Sequence, residues 1–160
     1  MPRQWLTALA LVIVLGSPRP AAADITAFLG LSPSPERHLA RGFAVGFGLL
    51  VIGFEFEYAN LSEDELEGIP GLQTGSGNIL LQTPIEVSGF SFYGTVGGGM
   101  YRERLVIRQE THFASNIGGG VKIRLVGPLR VRADYRVFRL QGDPLHETYQ
   151  RFYVGGNLAF

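Results

Sequence analysis

The chain has 160 residues, one domain by size, and its 14 basic and 14 acidic residues cancel, so no basic face recommends a nucleic acid partner. Hydrophobic residues make up 46% of it, too few and in runs too short for a bundle of membrane helices. Cysteine is absent, which excludes disulfides, thiolate metal sites and a lipid-anchored N-terminal cysteine.

The first segment reads as an address. Arg3 supplies positive charge, an apolar run follows from Trp5 to Gly16, and Ala21-Ala22-Ala23 forms a small-residue cleavage signature before Asp24. An apolar run of about 12 residues falls short of the roughly 20 that span a bilayer as a helix. Residues 1–23 are therefore expected to be a signal peptide, and residues 24–160 the folded domain.

After Asp24 the hydrophobic period is two. It predicts strands at 24–32, 40–48, 52–60, 76–84, 90–102, 111–124, 129–139 and 148–160. The third sets Ile52, Phe54, Phe56 and Tyr58 on one face and Gly53, Glu55 and Glu57 on the other. The first, fourth and fifth alternate less cleanly, and Pro84 falls at the end of the fourth, where its missing N–H is tolerated. The sixth sets Phe113, Ile117, Val121, Ile123 and Leu125 against His112, Asn116, Gly118, Gly120, Lys122 and Arg124. The seventh sets Leu129, Val131, Ala133, Tyr135 and Val137 against Arg130, Arg132, Asp134 and Arg136. The eighth sets Phe152, Val154, Leu158 and Phe160 against Arg151, Tyr153, Gly155 and Asn157.

The connections after strands two, four and six are short. Those after one, three, five and seven read as longer and polar, the longest being Leu61 to Gly75 with Glu63, Asp64, Glu65 and Glu67. That acidic stretch reads as a solvated loop, with Ser62 and Glu65 spaced to cap one helical turn. An even strand number, strands of about 9–13 residues and turns that alternate short and long predict an all-β, closed up-and-down antiparallel transmembrane barrel of eight strands, both termini on the short-turn side. A soluble sandwich also alternates, but its core does not accept a glycine-rich, charged face.

In a ring of eight, strand three stands opposite strand seven. Glu55 and Glu57 are thus expected to meet Arg130, Arg132 and Arg136 across the lumen, with Lys122, Arg124 and Asp134 joining a network, because buried charge persists only when paired and arginine's fork suits bidentate pairing. The inner glycines Gly46, Gly48, Gly97, Gly99, Gly118 and Gly120 leave room for those side chains in a narrow barrel. The Gly-Gly-Gly runs lack the Lys-Ser/Thr ending of a phosphate loop. Phe43, Phe47, Phe54, Phe56, Tyr58, Tyr135, Phe152 and Phe160 lie on the outer face, where interfacial girdles form. His112 and Ser115 are three apart and so on opposite faces; His38 and His146 fall in loops near Glu36 and Glu147. No metal-ligand spacing occurs, and no catalytic, cofactor-binding or metal residues are expected.

The C-terminal run Tyr153-Val154-Gly155-Gly156-Asn157-Leu158-Ala159-Phe160 resembles the terminal signal that outer membrane barrels present to their assembly machinery. Gly155, Leu158 and Phe160 match its pattern, and Tyr153 departs from its preference for a polar residue. The stretches Tyr93–Tyr101, Asn116–Lys122 and Arg132–Arg136 are similar to strands of the OmpA/OmpX-like outer membrane protein β-barrel domain family. The resemblance covers essentially all of 24–160. It implies the outer membrane of a Gram-negative-type bacterium, with periplasmic termini and extracellular long loops. It implies outer membrane lipid and lipopolysaccharide as surroundings, barrel assembly machinery and periplasmic chaperones as partners, a monomer, and no cofactor. The implied role is structural or surface-interacting, with the lumen filled by side chains. A narrow channel for ions or small solutes is the alternative. A lipid A-modifying enzyme is the third; lipid A deacylases of this size place a His two residues before a Ser, a pair that this chain lacks.

Overall fold

The computed structural model describes residues 22–34, 37–49, 51–62, 71–105, 108–142, 144 and 146–160. The expected signal peptide, apart from its last two residues, and the acidic stretch from Glu63 to Glu67 lie outside them, as does Glu36.

Eight strands follow one another: β1 Ala22–Ser34, β2 His38–Leu49, β3 Ile52–Leu61, β4 Gly71–Gln82, β5 Phe90–Leu105, β6 Arg108–Val126, β7 Leu129–Leu140 and β8 Thr148–Ala159. Each pairs antiparallel with the next, and β8 pairs with β1, so the sheet closes on itself. At the seam Asp24 to Leu31 of β1 run against Ala159 to Phe152 of β8 in unbroken register. Closure leaves no open edge, which is the condition for placing a sheet in lipid.

The alternation of β3 decides what faces where. Gly53, Glu55, Glu57, Ala59 and Leu61 are buried, while Ile52, Phe54 and Phe56 are exposed. The same inversion runs around the ring: Phe56 is 54% exposed and Arg132 is fully buried. Every aromatic expected on the outer face lies there. Phe47 stacks on Phe54 and Phe43 tilts against Tyr58, both pairs being cross-strand neighbours of β2 and β3. Toward the loop end the outward residues turn mostly polar, with Arg41, Asn60, Gln73, Arg102, Thr111 and Arg139 in place of aliphatics, while Leu39, beyond Arg41 on β2, stays apolar and exposed.

Five strands run further toward the loops than their alternation predicts, β1 and β2 by two residues and β4, β5 and β6 by three to five. β4 starts at Gly71, and Leu72 already pairs with Leu61 of β3 and Glu103 of β5. β5 and β6 continue as a hairpin up to the Leu105–Arg108 pair, leaving only 106–107 between them. The connection from β1 to β2 is likewise only 35–37. The expectation of four long loops is corrected to two, 62–70 and 141–147. The reason is physical: hydrophobic alternation stops where the outward side chains become polar, whereas the backbone ladder needs no apolar side chain and continues. At the other end, Ser88 and Gly89 both take positive φ, 53° and 82°, in a two-residue turn between Val87 and Phe90, the geometry that matches a hairpin's twist. Pro84 lies just past β4.

Glycine opens the wall at two critical inner positions. A Cβ at Gly99 would stand 1.9 Å from the Gly75 carbonyl oxygen, and one at Gly120 would stand 2.3 Å from the Ala133 carbonyl and 2.4 Å from the Tyr93 hydroxyl. On the outer face, by contrast, a Cβ at Gly77 meets nothing within 4 Å. Gly120→Ala is expected to destabilise the barrel by about 1–3 kcal/mol, as overpacking does, while Gly77→Ala changes stability by less than about 1 kcal/mol. Urea titration of heat-modifiable gel migration in detergent measures both. Equal effects would mean that the Tyr93–Gly120 contact carries no weight.

Candidate functional site

The lumen is filled in layers. Nearest the loops, Ala40, Leu61, Leu72, Tyr101, Ala114, Phe138, Leu140 and Tyr149 form one buried apolar cluster, and the Tyr101 hydroxyl donates to the Gln141 carbonyl at 2.8 Å. Beneath it Phe28 stacks on Tyr153 with ring centres 4.0 Å apart. Gly155 makes this possible, since a Cβ there would stand 2.4 Å from the Ala27 carbonyl oxygen and 2.8 Å from Phe28 Cβ.

The middle of the lumen holds three carboxylates and three guanidiniums, all buried. Arg136 donates to Glu55 at 2.7 Å and to Asp134 at 2.9 Å, and its Nη1 lies 3.3 Å from Glu57. Arg132 pairs with Glu55 and, at 3.2 Å, with Asp134. Arg151 pairs with Glu57 and lays its guanidinium over the Phe138 ring, 4.7 Å from the centre. Tyr93 ties the cluster together: it donates to Asp134, accepts from Arg132 Nε at 2.7 Å, and lies face-on to the same guanidinium at 4.7 Å. Asn78, with its amide oxygen turned to Arg136 Nη1 at 2.9 Å, adds an acceptor. Formal charge within the cluster sums to zero, the condition for holding such groups out of water.

Toward the turns Lys122 pairs with Asp24, beside a cavity of about 50 Å³ that Gln82 and Arg130 also line, polar and large enough for water. At the turn end Glu86 meets Arg124 at 2.6 Å and Arg130 at 3.1 Å. Of the expected network residues, Glu55, Glu57, Arg132, Asp134 and Arg136 thus stand together and Lys122 is one layer away. Arg124 and Arg130 do not join them. This corrects the expectation, and the reason is depth: the two flank the β6–β7 turn, where Arg124 is 52% exposed and an acid of the preceding turn is nearer.

Sequence reasoning left out Arg151, Tyr93, Tyr153, Asp24 and Glu86. Arg151 and Tyr153 were legible as inward by parity. Their partners were not, because strand eight stands opposite strand four, which carries no charge; the long arginine side chain reaches Glu57 of β3 instead. Of the expected assembly-signal residues, Leu158 and Phe160 face outward and Gly155 faces the lumen. Ser115 points outward between Gly98 and Arg139, while His112 is on the other face against Gly142. His146 sets its ring edge-on to Tyr149, and the side chain of His38 is outside the described set. Among the described residues no three His, Asp or Glu gather as a metal site.

Removing one charge from this cluster strands its partner. Arg132→Met and Glu55→Gln are each expected to cost about 3–5 kcal/mol, and the double variant less than the sum of the two. Denaturant titrations of the refolded barrel form the cycle; additive losses would deny the coupling.

Solved structures share this shape. The N-terminal β-barrel domain of Pseudomonas aeruginosa OprF superposes with a TM-score of 0.70 at 14% identity, covering 88% of this chain and 98% of that one. Neisserial surface protein A gives a TM-score of 0.65 at 11% identity, covering 86% and 94%. The outer membrane enzyme PagL gives 0.55 at 9% identity, covering 84% and 98%. No protein-family model and no curated protein matches the sequence. At these identities the likeness is one of architecture: the chain has the eight-stranded barrel fold of the small OmpA/OmpX-like outer membrane proteins.

Proposed function

We propose that this chain is a sealed outer membrane barrel of a Gram-negative-type bacterium, serving as a structural or surface-interacting component of the envelope. The observation that carries this reading is that the lumen is closed twice, by the neutral cluster of paired charges and by the apolar cluster on its loop side. In this reading the two layers keep solutes and ions from crossing, so the work of such a protein falls to its wall and its loops.

The wall supports a membrane setting. Exposed Phe, Leu, Ile and Val surround the barrel, a surface that water disfavours and lipid accepts. In this reading residues 1–23 are a secretory signal, both termini are periplasmic, and the chain is a monomer. The chain end Gly155, Leu158 and Phe160 is read by barrel assembly machinery after passage with periplasmic chaperones. PagL shows that this fold also accommodates an enzyme, but the opposed faces of His112 and Ser115 offer that reading no nucleophile–base pair.

Envelope fractionation is expected to place the protein with outer membrane markers, soluble only in detergent. Recovery in the periplasm without detergent would overturn the assignment. In planar bilayers the folded protein is expected to give no stable, sizeable open state. A steady conductance would replace the sealed barrel by the narrow channel, and altered lipid A after overexpression would replace it by the enzyme.

A further inference from the structure

Among the described residues the outer wall carries two grooves of similar size and different chemistry. One, of about 770 Å³, crosses β2 to β5 over Gly77 and Gly98. Its outward side chains are apolar, among them Phe47, Phe56, Ile79 and Val96. The other, of about 730 Å³, crosses β8, β1, β2 and β3. Its bed is the paired Gly156 and Ala27, and Val154, Leu29 and Phe43 rise around it. On its loop side stands Arg41, exposed and paired across the ladder with Asn60. Among the described residues no carboxylate pairs with Arg41.

An arginine on a lipid-facing wall is costly at mid-depth and nearly free at the interface. Its long stem lets the guanidinium reach for headgroups while the methylenes stay on the wall, and its fork fits phosphate. The groove therefore has one cationic end and an apolar body, matching an anionic headgroup joined to an acyl chain.

We propose that this groove binds one phosphorylated glycolipid of the loop-side leaflet, the lipid A portion of lipopolysaccharide, with a phosphate on Arg41 and an acyl chain over Gly156 and Ala27. The inference rests on the outer membrane reading above, which makes the loop-side leaflet the outer one.

Native mass spectrometry of the detergent-solubilised barrel, titrated with bis-phosphorylated lipid A and with the same lipid dephosphorylated, tests it. The wild type is expected to retain one phosphorylated lipid with about tenfold preference, the scale of one charge-assisted contact. Arg41→Gln is expected to bring the two lipids near parity. Gly156→Leu, which enters open space, is expected to weaken both, and Gly77→Leu, which fills the other groove, to weaken neither. A preference that survives Arg41→Gln overturns the proposal, as does a loss in Gly77→Leu equal to that in Gly156→Leu. Heat-modifiable migration of each sample separates misfolding from lost binding, and Arg41→Gln, at an exposed position, decides the matter if Gly156→Leu does not fold. A wild type that stays soluble without detergent overturns the outer membrane reading itself. One that needs detergent yet binds both lipids equally overturns only the lipid site.

Discussion

Three guanidiniums packed against three carboxylates inside a narrow ring are the constraint from which the remaining architecture follows. Buried charges are tolerable only at near-complete pairing. The pairing here spans β3, β7 and β8, with Tyr93 of β5 bridging Asp134 and Arg132. The cluster therefore works as a set of cross-braces between strands that share no ladder. It also fixes register: a one-residue slip of β7 would turn Arg132, Asp134 and Arg136 outward and Val131, Ala133 and Tyr135 into the cluster.

The glycines answer to the same constraint. Gly120 lies under the Tyr93 ring, and Gly155 lies under Phe28, which stacks on Tyr153. Bulky inner side chains on one strand are matched by bare backbone on the neighbour, as close packing inside a small barrel requires. Phosphate-loop chemistry has no part in the Gly-Gly-Gly runs; their inner members sit where an adjacent carbonyl comes too close for any Cβ, and Gly98, on the outer face, lies under the Phe113 ring.

The wall and the lumen divide the labour. Inside, the layered filling from Leu61 and Tyr149 through the ion pairs to Glu86 leaves a small polar cavity near Lys122 and Asp24. Outside, aliphatic and aromatic side chains give way to an arginine-bearing belt toward the loops. Architecture shared with OprF's barrel domain, Neisserial surface protein A and PagL shows how little the scaffold alone specifies. What differs among such barrels is side chains on the wall, in the lumen and at the loops.

Strand number, closure and the inward or outward sense of Glu55, Arg132 or Phe54 were legible in the sequence, because a strand's two-residue period is a local property that each segment writes for itself. The ends of β4, β5 and β6 were not, because the hydrogen-bonded ladder continues past the residues whose hydrophobicity marks it. Nor were the partners inside the lumen. Parity puts Arg124, Arg130, Arg132 and Arg136 on one face but says nothing of depth, and depth decided that the first two meet Glu86 while the others meet Glu55 and Glu57. Pairing across a closed ring depends on strand tilt and on how far a side chain reaches, quantities that exist only once all eight strands are in register.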